Sequence, residues 1–247
     1  MIGRIAGLGL VVAGVLLTAT IGAKADTVRL TTLEWPPYSG SLPDNGFSAI
    51  VVREAFKAMG HNVEIEVLPW QRAVHNAKEE PGVVGYFPEY PADLDGFSLS
   101  ESIGESPLGL IVPAGASISD TTPAGLARLK LGVVSGYVNA KPVTEAITAG
   151  LKPEAVVDDA TNIRKVAAGR IQAAEIDRYV FSYLMRNSAD LQPLQGKVEF
   201  GPALESKTLH VAFNTKPEGR KWAAIFAEGL KKIDVGTLQK QHLSSAQ

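Results

Sequence analysis

The chain has no cysteine among its 247 residues. That excludes disulfides, thiolate nucleophiles, cysteine-ligated zinc and a lipid tether on an N-terminal cysteine, so stability must come from an ordinary core. Charge of one sign is also missing. The 24 basic and 26 acidic residues nearly cancel, and no basic stripe carries interleaved aromatics, which argues against nucleic acid and anionic membrane as partners. Histidine is scarce: His61, His75, His210 and His242 are scattered with no His-x-x-x-His pair, which argues against a metal centre. The stretch GVVSG at 132–136 lacks the Gly-x-Ser-x-Gly spacing, so Ser135 is not placed as a nucleophile elbow, and no phosphate-cradling glycine loop appears beyond the N-terminal region. Nothing calls for a cofactor.

Long apolar runs are confined to the N-terminus. There Arg4 precedes an unbroken apolar run, followed by Ala23-Lys24-Ala25, the pattern of a cleavable export signal over residues 1–25. The run from Ile5 to Ile21 is short and glycine-rich for a spanning helix, so cleavage after Ala25 and release into the periplasm are expected. The remaining chain suffices for one large domain or two small ones.

Beyond the signal, strand-like and helix-like patterns alternate. The run from Val28 to Leu33 reads as a strand. Phe47, Val51, Ala55, Phe56 and Met59 recur at helical intervals up to Gly60, then NVEIEVLP alternates as a strand. WQRAVHNAK predicts a helix and GVVGYF a strand. A polar, proline-rich passage from Pro88 to Gly115, with a short apolar run at its end, reads as a crossing between two halves. A second series comes next, with strands at KLGVVS, EAVVD, RIQAAEI and TLHVAF and helices between them; two terminal helices finish the chain, with Trp222 and Phe226 assigned to the core. This is an α/β architecture with largely parallel sheets.

In open α/β sheets, ligands bind beyond the carboxyl ends of the strands, where loops and helix amino-termini converge. The first half places Glu34, Trp35 and Tyr38 there, then Trp70 and Arg72, then Tyr86, Phe87, Glu89 and Tyr90. The second half places Ser135, Gly136 and Tyr137, then Asp158, Asp159 and Thr161, then Glu175, Asp177 and Arg178. Aromatic rings come after all three strands of the first half, which suggests a pocket with aromatic walls; Trp35-Pro36-Pro37-Tyr38 would be one wall, or a rigid turn packed on the core.

The order LEWPPYSG, GFSAIVVREAFKAMGHNVEIEVLPWQRAV, GFSLSESIGESPLGLIV, LGVVSGY, IRKVAAGRIQAAEIDRYVFSYLM and GRKWAAIFAEGLKKIDVGTLQK resembles the periplasmic solute-binding proteins of the polar amino-acid type, family 3. The resemblance covers essentially the whole exported chain. It implies the two-lobe, type II periplasmic-binding-protein fold, a monomer, with lobe one at 26–109 and 206–247 and lobe two at 110–205. It also implies a small polar solute closing a cleft, passed to an ABC importer of the inner membrane or presented to a membrane receptor. Some relatives are dehydratases, in which case Glu34 or Glu89 would be the proton donor.

One departure stands out. Relatives clamp the ligand's carboxylate with an arginine after the third strand, where this chain reads YPADLDG and has Asp93. Asp177 matches the acid that holds the ligand's ammonium group, although an acid before RYVFSYLM is equally a helix cap. The expected binding set is therefore Glu34, Trp35, Tyr38, Trp70, Arg72, Tyr86, Glu89, Ser135, Tyr137 and Asp177, for a cationic or neutral polar solute. Arg72 and Arg178 are each either a carboxylate contact or a solvated surface residue, and Ser135-Gly136 is either an anion-facing pair of amides or a tight turn.

Overall fold

The computed structural model describes residues 25–243; residues 1–24 of the expected export signal lie outside the described residues. Strand β1 (Thr27–Thr32) lies between β2 (Asn62–Val67) and β3 (Val83–Glu89), both parallel to it. β2 alternates between exposed and half-buried residues, as an edge strand does, whereas every residue of β3 is buried. Helix α1 (Phe47–Lys57) buries Phe47, Val51, Val52, Ala55 and Phe56, the stripe expected from its period, and α2 (Trp70–Glu79) buries Ala73 and Ala77.

After the short strand β4 (Phe97–Leu99) comes β5 (Gly104–Pro113), the first of two strands that run through the junction of the halves. It pairs antiparallel along its whole length with β9 (Val198–Asn214), from Gly104 opposite Leu209 to Pro113 opposite Val198. The far end of β9 pairs with β3 and β4, so β9 belongs to both sheets. Positions 109 and 206, where the sequence reading divides the chain, fall inside these two strands. The passage read as a crossing thus contains a ten-residue strand, and TLHVAF is the end of a seventeen-residue one. Glycines, prolines and charges break both patterns because these strands lie partly outside either core.

The second sheet runs β9-β5-β8-β6-β7, with β6 (Leu131–Val134), β7 (Glu154–Val156) and β8 (Ala173–Asp177) mutually parallel. The helices α3 (Pro123–Leu126), α4 (Lys141–Thr148), α5 (Asp159–Ala167) and α6 (Arg178–Asn187) flank it. Thr122 caps α3, its hydroxyl accepting from Gly125 N–H. The chain returns to the first half in α7 (Pro217–Leu230) and α8 (Val235–Leu243). As expected, Trp222 and Phe226 are core residues; the Phe226 ring lies 5.1 Å from Phe56 and 5.5 Å from Phe213.

Candidate functional site

The carboxyl ends of β1, β3, β6 and β8 face one another across the junction, and the side chains there close it. Trp35 to Tyr38 form a tight turn in which Tyr38 and Ser39 N–H both donate to Trp35 O at 3.0 Å. The turn also holds helix α1: Phe47 N–H donates to Pro37 O at 3.0 Å and Ser48 N–H to Tyr38 O at 2.8 Å, satisfying two amides of the first helical turn. That close approach requires Gly46, whose φ is 86° and whose added Cβ would lie 2.8 Å from Pro37 O and Tyr38 O. The Trp35 and Tyr38 rings stack at 4.6 Å. Rigid turn and pocket wall are therefore the same structure.

Asp177 connects the halves. Its Oδ1 accepts from Val180 N–H at 2.9 Å, capping α6, while its Oδ2 accepts from Tyr38 Oη at 3.0 Å and from Ser106 Oγ at 2.6 Å. Since the Ser106 proton points at Asp177, Tyr90 Oη must be the donor in its 2.6 Å contact with Ser106 Oγ. The helix cap takes one oxygen and the contacts across the junction take the other. A second contact between the halves comes from Trp70, whose Nε1 donates to Gly136 O at 3.0 Å. Tyr137 then inserts its ring edgewise against Trp35 at 6.4 Å and Trp70 at 5.8 Å.

Two small cavities and a groove remain. One cavity, about 20 Å³, is walled by Trp35, Trp70, Glu89, Tyr90 and Tyr137. The other, also about 20 Å³, lies among Trp35, Tyr90, Tyr137, Asp159, Glu175 and Asp177. Outside them runs an open groove of about 590 Å³ bordered by Glu34, Trp35, Trp70, Tyr137, Val157, Asp158 and Asp159. Trp35 and Tyr137 line all three spaces.

The inner wall is acidic. Burial raises Glu175 to about 8, opposed by its bond from Ala140 N–H and by Lys207. Burial, then the neighbouring charges of Asp177 and Asp158, raises Asp159 to about 7. Burial raises Asp177 to about 6 against the hydrogen bonds it accepts. Glu89 is also raised by burial, while Tyr86 Oη at 2.9 Å and Tyr90 N–H at 2.7 Å hold its two oxygens. Among the described residues no group of three such side chains is close enough to hold a metal ion.

The other expected residues take different places. Tyr86 is buried beneath the cleft, edge-on to Trp70 at 5.4 Å and Phe97 at 5.0 Å, and it borders none of these spaces itself, reaching them through Trp70 and Glu89. Glu34 is exposed on the groove and accepts from Ser41 N–H at 3.0 Å. Arg72 is exposed on α2 and borders none of these spaces, and Arg178 packs over the Phe200 ring at 4.1 Å. Ser135 is exposed and donates its N–H to Val156 O at 2.7 Å; Gly136, with φ 82°, forms the turn that carries Tyr137. Tyr90, Asp159 and Glu175 lie after or at the ends of their strands, where the strand-end rule points, yet they fall outside the expected binding set. Ser106 leaves no signal, because its strand is hidden in the passage read as a crossing.

No protein-family model matches this chain, and no curated protein matches it. Solved structures do. A histidine kinase sensor domain with similarity to periplasmic binding proteins superposes with a TM-score of 0.73 at 15% identity, over 88% of this chain and 96% of that one. The periplasmic VFT2 domain of Bordetella pertussis BvgS gives 0.71 at 16%, over 90% and 93%. An ancestral arginine-binding protein bound to arginine gives 0.70 at 15%, over 87% and 97%. The chain has the two-lobe α/β fold of the periplasmic binding proteins.

Proposed function

We propose that this protein is a periplasmic solute-binding module that closes its two lobes on a small polar solute, cationic or neutral, and passes it to an importer in the inner membrane. The observation that carries this reading is the convergence on Asp177: Tyr38 from one half and Ser106 from the strand joining the halves meet its Oδ2 at 3.0 Å and 2.6 Å. A solute that replaces these protein groups with its own donors touches both halves at once, and only such a solute favours closure. The pocket of acids and ring faces, with Asp93 where relatives carry arginine, supports a solute without a carboxylate to clamp. Arrival in the periplasm rests on the export signal read from residues 1–25.

A second reading is sensing, with the closed form docking on a membrane receptor. It is favoured by the contacts that close the cleft without a solute's help, notably Trp70 to Gly136, and by the likeness to sensor domains. A thermal-shift screen of amino acids, amines, quaternary amines and polar metabolites tests the shared core of both. A true solute at a hundred times its dissociation constant adds about 2.7 kcal/mol, and Asp177→Ala should abolish that gain. If affinity for a confirmed solute were unchanged in Asp177→Ala, binding across the lobes would be refuted.

A further inference from the structure

Outside the cleft, a groove of about 490 Å³ runs between α8 and Tyr179, bordered by Gly104, Glu105 and Gln239. From α8, Gln239 lies against an open side of β5. β8 pairs with β5 only from Leu108 onward, so at Glu105 that side of the strand has no strand beside it. The Gln239 amide fills the place: Oε1 accepts from Glu105 N–H at 3.0 Å and Nε2 donates to Glu105 O at 3.3 Å. The two contacts fix the amide's orientation, since a flipped amide would set donor against donor. Gly104 leaves room for the approach; a Cβ there would lie 3.2 Å from Gln239 Oε1 and 2.6 Å from the Phe47 ring. The same peptide carries the junction. Glu105 O also accepts from Tyr38 Oη at 3.0 Å, and the next residue, Ser106, donates its hydroxyl to Asp177 Oδ2 at 2.6 Å. Tyr38 has a single hydroxyl proton for Glu105 O and Asp177 Oδ2, both at 3.0 Å, so its bond across the junction depends on where Glu105 O stands. Both side-chain donors to Oδ2 are thus steered by a short segment of β5 that Gln239 holds from outside.

We propose that Gln239 is a positioning residue for the cleft: from the outer surface it anchors β5 at Glu105 and Ser106, and the anchored segment keeps Tyr38 and Ser106 on Asp177. This rests on the halves opening and closing as the binding reading requires, but on no particular solute. With the Gln239 amide gone, Glu105 N–H turns to water and the segment is free to shift toward Tyr38. The phenol proton then settles on Glu105 O and leaves Asp177 with one side-chain donor fewer. The halves part more often, although no residue of the cleft has changed. Tyr38, Ser106 and Asp177 are buried, whereas Gln239 is half-buried at the groove, so the junction is adjustable from outside through this side chain. α8 itself is held in place by Leu243, which is buried, and by Val235 and Leu238, which pack against the core.

Hydrogen exchange of the Trp35 indole, followed by NMR without solute, tests this. The indole is buried and bonded to Asp159 of the second half, so its N–H exchanges when the halves part. Gln239→Met keeps the side chain's bulk but neither polar contact. Under conditions where exchange tracks the open population, it should speed the Trp35 indole at least about threefold, the effect of one net hydrogen bond. The backbone amide of Leu30, buried in the middle of β1, should stay within about twofold. Gln239→Glu still accepts from Glu105 N–H and should restore most of the protection. In a Tyr38→Phe protein, Gln239→Met should have less than about half its effect on Trp35, because the two act through one contact. An unchanged Trp35 rate, an equal rise at Leu30, a Gln239→Glu protein no better than Gln239→Met, or full additivity with Tyr38→Phe would each overturn the proposal. If Tyr38→Phe speeds the Trp35 indole and Gln239→Met does not, the anchor fails and the moving halves stand. If the exchange results hold but no solute binds in the thermal-shift screen, the binding module fails and the anchor stands.

Discussion

Tyr38 and Asp177 are 139 residues apart in sequence and come from opposite halves of the molecule, yet the phenol donates to the carboxylate at 3.0 Å. Both are buried, and burial together with the Asp177 charge keeps the phenol protonated, well above its ordinary range. Replacing Tyr38 with Phe removes one of two side-chain donors from Oδ2 and leaves Ser106 as the other. The expected cost is about 1–2 kcal/mol, seen as a melting temperature lower by about 3–6 °C at neutral pH. The carboxyl of Asp177, less well served, should titrate higher still, so the loss should shrink as the pH falls. A loss that is equal at pH 5 and pH 8 would show that the bond does not couple to the acid.

Stability as a whole should rise as the pH falls from about 8 toward about 5. Asp159, Glu175 and Asp177 titrate in the folded protein near 7, 8 and 6, above the ordinary carboxylate range. In that window the native state binds more protons than the unfolded chain, so unfolding becomes easier with every rise in pH through the folded values. The direction is opposite to that of a protein held by salt-bridged acids. Glu175→Gln removes the charge while keeping the shape, and should raise the melting temperature at pH 8 and flatten the upper part of the profile. Melting curves of both proteins from pH 5 to 9 check this, and a profile that climbs with pH would refute it.

Much of the fold was legible because its signals are local. The stripe of Phe47, Val51, Ala55 and Phe56 and the burial of Trp222 and Phe226 come from periodicity. The junction strands were not legible. β5 and β9 leave one core and enter another, so neither keeps a single face buried, and Gly104, Pro107, Gly201 and Pro202 interrupt whatever alternation remains. The strand-end rule groups Trp35, Tyr38, Trp70, Tyr137 and Asp177 as neighbours, and the structure places them around one junction. What the rule could not rank was burial. Asp159 and Glu175 read like Asp158 and Glu34, but the first pair lies inside the closed junction and the second faces water.

Core packing and site chemistry should separate cleanly. Phe226 is fully buried against Phe56 and Phe213 in the first half, away from the junction. Phe226→Ala should cost about 3–5 kcal/mol in denaturant unfolding through lost burial and the cavity left behind. Solute affinity, measured well below the unfolding transition, should stay within about twofold, because no residue of the site touches that ring. A larger change in affinity would mean that the first half's core and the cleft are coupled.

Tyr137 is the side chain whose removal should move stability and binding in opposite directions. It rides on the Gly136 turn, its ring sits between Trp35 and Trp70, and it borders both inner cavities and the outer groove. Edge-to-face pairs of this kind contribute about 0.5–1.5 kcal/mol each beyond the area they bury, so Tyr137→Ala should destabilise the protein without solute by about 2–4 kcal/mol. The same substitution joins the cavities to the groove and removes a ring that a solute must otherwise displace. Association followed by stopped-flow tryptophan fluorescence should therefore speed up, and affinity should rise by up to about tenfold, because less of the binding energy goes into moving the ring. Tyr137→Phe, which keeps the ring, should behave like the unmodified protein in both measurements. Were Tyr137→Ala to bind more weakly, the ring would be a wall that holds the solute rather than a plug that fills its place.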